Sequence, residues 1–172
     1  MVIQYGRNET GFSISPRPEQ AFTIRKCGRN EWSKFRRYHY LDTELANSAQ
    51  CHGLYHGDKI IGFIGVLHFP HPHNAKIKRV SRLVILPDYQ GIGIGTAFLR
   101  HVGAIYSDAG FDFRITSSAK NVLHSLNKSP NWKLERYSRY SEKTKTVSDK
   151  ALGKSARLNV KTASFKYIGG KS

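Results

Sequence analysis

Alternating and helical patterns of apolar residues predict a sheet flanked by helices. Residues 21–27 ("AFTIRKC") alternate as a first strand does. After Asn30, which can cap a helix, apolar side chains recur every third residue, so a helix is expected there. The side chains on that helical face are Trp32, Phe35, Tyr38 and Leu41. A second short helix is predicted over residues 42–49.

Further along the chain, two strand-like runs flank Gly57-Asp58 within residues 51–69, which predicts a β-hairpin. An apolar strand follows at 78–86, and a helix is predicted from 94 to 109 with Gly110 as its C-terminal cap. The remaining predicted elements are a strand at 111–118, a short helix or turn at 121–128, a strand at 132–140 and a closing strand within 158–168.

The N-terminus and one internal stretch lack these patterns. Residues 1–20 mix Gly, Asn, Ser and two prolines, which is typical of a loose leader. Residues 141–156 carry Lys, Ser and Thr without periodicity and are expected to form a mobile basic loop. We therefore expect a single domain over residues 21–168, followed by a tail at 169–172.

The net charge of the chain predicts the kind of partner that it binds. The 172 residues hold 28 Lys and Arg against 12 Asp and Glu, a formal net charge of +16 with a pI near 10.1. Such an excess attracts polyanions, nucleic acid before an anionic membrane. Because no run of about 18 apolar residues occurs, we expect a cytoplasmic protein without a membrane partner. Cys27 and Cys51 match no metal-ligand spacing and are expected to be reduced, structural thiols.

Residues 90–95, Gln-Gly-Ile-Gly-Ile-Gly, join the apolar strand to the long helix. Glycines let a ligand approach the main chain, and the first amides of a helix lack intrahelical partners and carry the positive end of its dipole. An anion is therefore the expected ligand. A P-loop is excluded because Thr96 and Ala97 follow where Lys and Ser or Thr are needed. A dinucleotide-binding fold is disfavoured because a hairpin precedes the loop and the next strand ends in serines.

The stretch "RLVILPDYQGIGIGTAFL" (82–99) resembles the acyl-CoA loop of the Gcn5-related N-acetyltransferase (GNAT) superfamily. That family's signature is Gln or Arg, two residues, Gly, one residue, and Gly or Ala, and residues 90–95 fit it throughout. The order of predicted elements over residues 21–168 is also similar. The likeness implies a mixed α/β fold, with a mostly antiparallel sheet that is splayed at the cofactor site and flanked by helices. It also implies acetyl-CoA or another acyl-CoA as the cofactor.

The likeness further implies where the cofactor lies. The pyrophosphate would lie on the amides of residues 90–96, and the pantetheine arm would enter where the strand at 83–85 separates from the strand at 115–118. The amide near Val84 would polarise the thioester carbonyl. The implied cofactor-binding residues are Leu83, Val84, Ile85, Gln90, Gly91, Ile92, Gly93, Ile94, Gly95, Thr96 and Asn121.

One feature of the family is missing. Its members usually carry, in the helix before the last strands, a tyrosine that protonates the thiolate of CoA, whereas this chain has Leu126 and Asn127 there. Another donor is therefore expected if the chain transfers acetyl groups. The hydroxyl groups available for that role are those of Ser118, Ser125, Tyr137 and Tyr140.

A narrower likeness concerns "YHYL" (38–41), "SRLVILPD" (81–88) and "NW" (131–132), which are similar to the Mom group of phage Mu. Those GNAT relatives modify adenine at N6 in phage DNA. The likeness implies catalytic roles for His39, Tyr40 and Arg82, with His39 or a water as the base. Where that group has an acidic residue, this chain offers the serines at 117 and 118. The predicted catalytic set is thus His39, Tyr40, Arg82, Ser117 and Ser118.

Structural roles remain open for the same residues. A lone histidine such as His39 is more often packed against its neighbours than catalytic. Arg82 lies in an apolar strand and needs either a carboxylate, such as that of Asp88 or Glu44, or a ligand phosphate. His68, His71 and His73 flank prolines and are expected to be exposed, so no metal ligands are assigned and metal dependence stays open.

The predicted function is acyl-CoA-dependent modification of DNA, at adenine N6 if the Mom likeness holds. The alternatives are acetylation of a protein, a small amine or an aminoacyl-tRNA, and a non-catalytic nucleic-acid-binding module with the same fold. Double-stranded DNA is the expected partner, and a homodimer stays open. The candidate nucleic-acid-binding residues are Arg36, Arg37, Tyr38, Lys76, Lys78, Arg79, Lys133, Arg136, Arg139, Lys143 and Lys145.

Overall fold

The computed structural model describes residues 2–6, 9–13, 21–39, 44–139 and 161–169. One sheet joins nine strands in the order β1-β2-β3-β4-β5-β6-β7-β9-β8. Every neighbouring pair is antiparallel except β6 and β7, which run parallel. The strands are β1 (Val2–Gly6), β2 (Glu9–Ser13), β3 (Ala21–Lys26), β4 (Gln50–His56), β5 (Lys59–His68), β6 (Ile77–Ile85), β7 (Asp112–Ser117), β8 (Trp132–Arg139) and β9 (Lys161–Tyr167).

Helices cover the two faces of this sheet unequally. The described helices are α1 (Trp32–Phe35), α2 (Ile94–Asp108) and α3 (Lys120–Lys128), with short 3-10 turns at Arg29–Glu31, Arg36–Tyr38 and Pro87–Tyr89. The predicted fold class is confirmed, since the sheet is mixed, mostly antiparallel and flanked by helices.

Two apolar clusters hold the helices to the sheet. On one face, α2 buries Phe98 and Leu99 completely in a cluster that includes Phe113 of β7 and Phe165 of β9. On the opposite face, α1 packs Trp32 and Phe35 against Phe63 of β5, with ring centroids 5.4 and 5.7 Å from that ring. The sheet is therefore covered by α2 and α3 on one side and by α1 on the other.

Three of the predicted elements differ in the structure. Residues 2–6 and 9–13, assigned to a leader, form a hairpin, because residues 10–13 pair with the otherwise open edge of β3. The helix predicted after Asn30 is broken into α1 and two 3-10 turns, and Leu41 lies outside the described residues. No helix forms over residues 44–49, which are the described part of the helix predicted at 42–49. A turn at the polar residues 47–48 takes its place, and this turn already buries Leu45 and Ala49.

A buried polar network links β4 to α2. The Tyr106 hydroxyl donates to Gln50 Oε1 at 2.7 Å, and its oxygen lies 3.1 Å from Nε2 of His52. Since the tyrosine proton is used on Gln50, Nε2 must be the donor to the Tyr106 oxygen. Burial lowers the pKa of His52 to about 4, with Lys26 and His101 adding to the effect. Burial therefore keeps His52 neutral near pH 7, with its ring proton on Nε2.

The burial of His52 predicts a loss of stability in mild acid. The pKa of His52 lies below its ordinary value of 6.5 in the folded chain, so the unfolded chain takes up the proton first as the pH falls. We expect the His52 contribution to be fully present above pH 6.5 and lost by about pH 4, a change of roughly 3 kcal/mol. Urea unfolding of wild type and His52→Gln, which keeps a donor but cannot titrate, measures it. Equal pH dependence in the two proteins would contradict the assignment.

Candidate active site

One extra residue in β6 shapes the centre of the sheet. Gly65 and Val66 of β5 pair with Arg82 and Val80, so Ser81 between them has no opposite residue and forms a β-bulge. The Ser81 hydroxyl donates to the Gly65 carbonyl at 3.0 Å. A bulge bends its strand and increases the local twist. On its other edge, β6 pairs with β7 only through residues 77–80, so the two strands separate from Ser81 onward.

The separated edge of β6 presents its main chain to the gap. The Leu86 amide donates to the Ile61 carbonyl of β5 at 2.9 Å, and alternate residues of a strand face the same neighbour. The main-chain N–H and C=O groups of Val84 therefore point to β5, whereas those of Leu83 and Ile85 point into the gap. The Ile85 carbonyl accepts a hydrogen bond from Gln90 Nε2 at 2.7 Å, as this direction requires. The amide that can meet a ligand carbonyl is thus that of Leu83, not that of Val84 as the sequence suggested.

The glycine-rich loop closes one end of the gap. Gly91 and Gly93 adopt φ of +85° and +80°, a conformation that disfavours any residue with a side chain. No side chain caps α2, and the first intrahelical amide is that of Ala97, which donates to Gly93 at 3.1 Å. The amides of residues 94–96 therefore precede the helical hydrogen bonds. They form an anion-binding turn at the positive end of a helix of 15 residues.

The gap widens into a cleft of about 420 Å³. It is bounded by β6, the glycine loop and start of α2, β7, α3 and the residues after α1. The predicted site residues that line it are Tyr38, His39, Arg82, Leu83, Val84, Ile85, Gln90, Gly91, Gly93, Gly95, Thr96, Ser117 and Asn121. Sequence reasoning missed Ser81, Thr116 and Val122 as lining residues, because a bulge and a splayed strand leave no distinct mark in one sequence.

Other predicted residues lie elsewhere. The Ile92 side chain is 58% exposed and that of Ile94 is buried in the α2 core, and neither lines the cleft. Ser118 also does not line it, and its catalytic role stays a prediction. Tyr40 lies outside the described residues.

Of the hydroxyl groups considered as acids, Ser125 on α3 lines the cleft. Tyr137 is 69% exposed on β8 and does not line it. Tyr140 lies outside the described residues. Ser125 is therefore the described hydroxyl, among those named from the sequence, that can reach a ligand from the α3 side.

The opposite wall of the cleft is aromatic and cationic. The His39 ring lies edge-on to Trp32, with centroids 5.6 Å apart, and the Arg82 guanidinium lies 5.6 Å from the same indole. Arg82 Nη1 donates to the Ser81 carbonyl at 2.8 Å, and Nη2 lies 3.4 Å from the main-chain oxygen of Glu44. The buried ring of Trp32 thus positions both groups at the cleft.

The cleft is short of carboxylates. None of its described lining residues is Asp or Glu. Asp112 of β7 lies outside the cleft and accepts hydrogen bonds from Lys166 at 2.8 Å and Asn74 at 2.8 Å, which hold the pKa of its carboxyl below the usual value. His39 is therefore the described lining side chain best suited to accept a proton near neutral pH.

The candidate nucleic-acid-binding residues fall into separate groups. Arg36 and Arg37 are exposed beside the cleft, and Arg37 Nη2 donates to the Tyr38 hydroxyl at 2.6 Å. Lys76 lies in an exposed loop, and Lys78 lies 4.8 Å from the Phe111 ring on the α2 side of the sheet. The other face carries Arg79, Lys133 and Arg136, the backbone of Arg139 ends β8, and Lys143 and Lys145 lie outside the described residues.

The described part of the chain lacks both a cluster of metal ligands and a helix able to span a membrane. Its His, Cys, Asp and Glu side chains form no group of three that could hold a metal ion. Cys27 and Cys51 are free thiols, and burial raises the pKa of Cys27 to about 12. Among the described helices, none has the length and apolar character needed to cross a bilayer.

Solved structures share this fold. The Escherichia coli ribosomal-protein-S18-alanine N-acetyltransferase is 14% identical, with 88% of this chain and 96% of that chain covered and a TM-score of 0.61. A Bacillus subtilis acetyltransferase in complex with CoA is 12% identical, with coverages of 84% and 96% and a TM-score of 0.61. A GNAT family acetyltransferase from Elizabethkingia anophelis with acetyl-CoA bound is 13% identical, with coverages of 86% and 97% and a TM-score of 0.61.

The sequence itself places the chain in a family. No curated protein matches it in sequence. The model of the acetyltransferase (GNAT) family matches residues 19–123, which is more than half of the chain and includes β6 and the glycine loop. The chain therefore belongs to the acetyltransferase (GNAT) family.

Proposed function

We propose that this protein transfers an acetyl group from acetyl-CoA to an amine. The observation that carries the proposal is the cleft that opens where β6 leaves β7 and ends at the uncapped amides of α2. A diphosphate suits those amides, and a flexible amide-containing arm suits the free edge of β6. The similar folds of the CoA-bound and acetyl-CoA-bound acetyltransferases support the same ligand.

The residues present fit this cofactor. A Cβ added at Gly91 or Gly93 would meet no atom within 4 Å, so the space above the loop is open to a ligand. The Gln90 amide already donates to the Pro87 carbonyl at 3.1 Å, so the amides of residues 91–96, rather than 90–96, would hold the diphosphate. Leu83 and Ile85 would bind the arm, and Asn121 at the start of α3 would contact it from the other side. Acetyl-CoA, when bound, supplies an activated thioester.

Three groups of the chain would assist the transfer. The Leu83 amide faces the gap and would donate to the thioester oxygen as negative charge develops there. His39, directly or through a water, would accept the proton of the acceptor nitrogen, and the nearby Arg82 cation would favour the neutral form of an acceptor amine. Ser125 would hydrogen-bond to the departing sulfur and relay to it a proton from water, in place of the tyrosine that this chain lacks.

The acceptor we propose is a nucleic acid. A net charge of +16 favours a polyanion, and Tyr38 beside His39 offers a ring on which a base can stack. The family match and the similar structures give no support to the narrower Mom likeness, so adenine N6 of DNA stays a prediction. A protein amine is the second candidate, because the E. coli structure of similar fold is an alanine N-acetyltransferase of ribosomal protein S18.

The cofactor proposal predicts different effects for two glycines with the same backbone. Gly93 and Gly110 have φ of +80° and +79°, so alanine at either should lower the free energy of unfolding by about 1 kcal/mol. Only Gly93→Ala should weaken acetyl-CoA binding, roughly tenfold, because it displaces amides that hold the diphosphate. Calorimetry with acetyl-CoA measures this. Absence of binding by wild type, or equal affinities of the two variants, would refute the proposed cofactor site.

The acceptor proposal predicts an acetylated nucleic acid. Wild type incubated with acetyl-CoA and duplex DNA should give acetylated nucleosides by mass spectrometry after digestion. His39→Ala should lower the rate about a hundredfold or more through loss of the base, with acetyl-CoA affinity unchanged. His71→Ala, which removes an exposed loop histidine, serves as the control. Acetylation of proteins alone would favour the second candidate, and no turnover with any acceptor would favour the binding module.

A further inference from the structure

Four basic residues form a row across four adjacent strands. Arg79 of β6 lies opposite Arg114 of β7, Arg114 lies opposite Lys166 of β9, and Lys166 lies opposite Lys133 of β8. Directly opposed residues share a face of the sheet, and like charges in that arrangement destabilise it. A row of this kind requires compensation by carboxylates or by a ligand.

Carboxylates compensate only the middle of the row. Asp112 lies 2.8 Å from Lys166 and 3.5 Å from Arg114, and Glu135 lies 3.0 Å from Arg114. In the described part of the chain, no carboxylate pairs with Lys133 at the end of the row.

Arg79, at the other end of the row, and Arg136, on β8, lack carboxylates too within the described ranges. The Arg79 guanidinium stacks over the Phe69 ring at 4.0 Å, and its pKa is lowered by burial and by Arg136. Arg136 lies opposite Ser164 on the same face, one row further along. Among described residues, neither arginine forms a salt bridge with a carboxylate. We call the surface that carries Arg79, Arg114, Lys133, Arg136 and Lys166 the basic face.

Next to the row of cations, the basic face also carries paired hydroxyl groups. The Thr116 and Ser164 hydroxyls lie 2.9 Å apart, and those of Ser138 and Thr162 lie 2.8 Å apart. Both pairs are opposed across strands of this face. Arginine, lysine and hydroxyl side chains are the groups that commonly contact nucleic-acid phosphates.

The basic face is exposed at Lys133 and Arg136, half-buried at Arg79, Arg114 and Lys166, and reaches the cleft. Helices α2 and α3 pack on the opposite side of β7, β8 and β9, where Ile115, Leu134 and Phe165 join their apolar cluster. Thr116 belongs both to this face and to the lining of the cleft, so the two surfaces adjoin.

We infer that the basic face binds the phosphate backbone of a nucleic acid and directs it to the cleft. The inference rests on the proposed nucleic-acid acceptor and names the surface that would hold it. Four strands span roughly 14 Å from first to last, which corresponds to about four base-pair steps measured along the axis of a duplex. The charge of the row, unfavourable in the protein alone, becomes favourable when those phosphates lie on it.

The test is binding of a short fluorescent DNA duplex at increasing salt, by anisotropy and without acetyl-CoA. Lys133→Ala/Arg136→Ala should weaken binding on the order of tenfold or more and reduce the slope of log affinity against log salt by nearly two. The control Lys59→Ala/Lys128→Ala removes two exposed lysines that lie outside this face and should have a much smaller effect. Equal losses in the two double variants, or no loss in the first, would overturn the inference.

Separate readouts distinguish this inference from the proposed function. Both double variants should keep the wild-type affinity for acetyl-CoA, because none of the four residues lines the cleft. All four are exposed, so neither variant should lower the thermal midpoint, and loss of Lys133 and Arg136 should keep or raise it because like charges are removed from the basic face. Acetyl-CoA binding without any DNA binding would refute the basic face and leave the acetyltransferase. DNA binding that depends on Lys133 and Arg136, without acetyl-CoA binding, would support the basic face and refute the proposed cofactor.

Discussion

The site depends on the strand bulge at Ser81. That extra residue lets β6 keep its hydrogen bonds to β5 while it turns away from β7, so beyond Val80 this edge of a central strand pairs with none of the described strands. Unpaired main-chain groups inside a sheet are costly unless water or a ligand meets them. The glycine loop lies at the end of this edge and is tied to it by the bond from Gln90 to the Ile85 carbonyl. The gap and the anion-binding turn therefore form one continuous site.

Charge is distributed around this site with a consistent sign. The cleft has Arg82 and no carboxylate among its described lining residues, and the adjoining basic face has cations opposed across four strands. Both arrangements cost stability in the free protein, because buried or crowded charges repel one another and lose solvation. Anionic ligands would offset this cost at both places, with the cofactor diphosphate at the loop and an acceptor polyanion on the sheet.

Much of the fold and of the cofactor loop could be predicted from the sequence because local patterns determine them. Alternation marked the strands, Gly57-Asp58 marked the hairpin, and the spacing from Gln90 to Gly95 marked the turn before α2. The patterns predicted the wrong local structure where tertiary contacts determine it, as at residues 44–49 and at the hairpin formed by residues 2–6 and 9–13. The row from Arg79 to Lys133 joins residues far apart in the chain, so only strand order and register reveal it.

Hydrogen exchange of individual β6 amides, with and without acetyl-CoA, tests the central claim most directly. Arg82 and Val84 face β5, so their amides should exchange slowly in both states. Leu83 and Ile85 face the gap, so their amides should exchange fast in the free protein and slowly once acetyl-CoA is bound. Slow exchange of Leu83 and Ile85 in the free protein, or exchange that acetyl-CoA leaves unchanged, would contradict a strand edge opened by the Ser81 bulge to receive the cofactor.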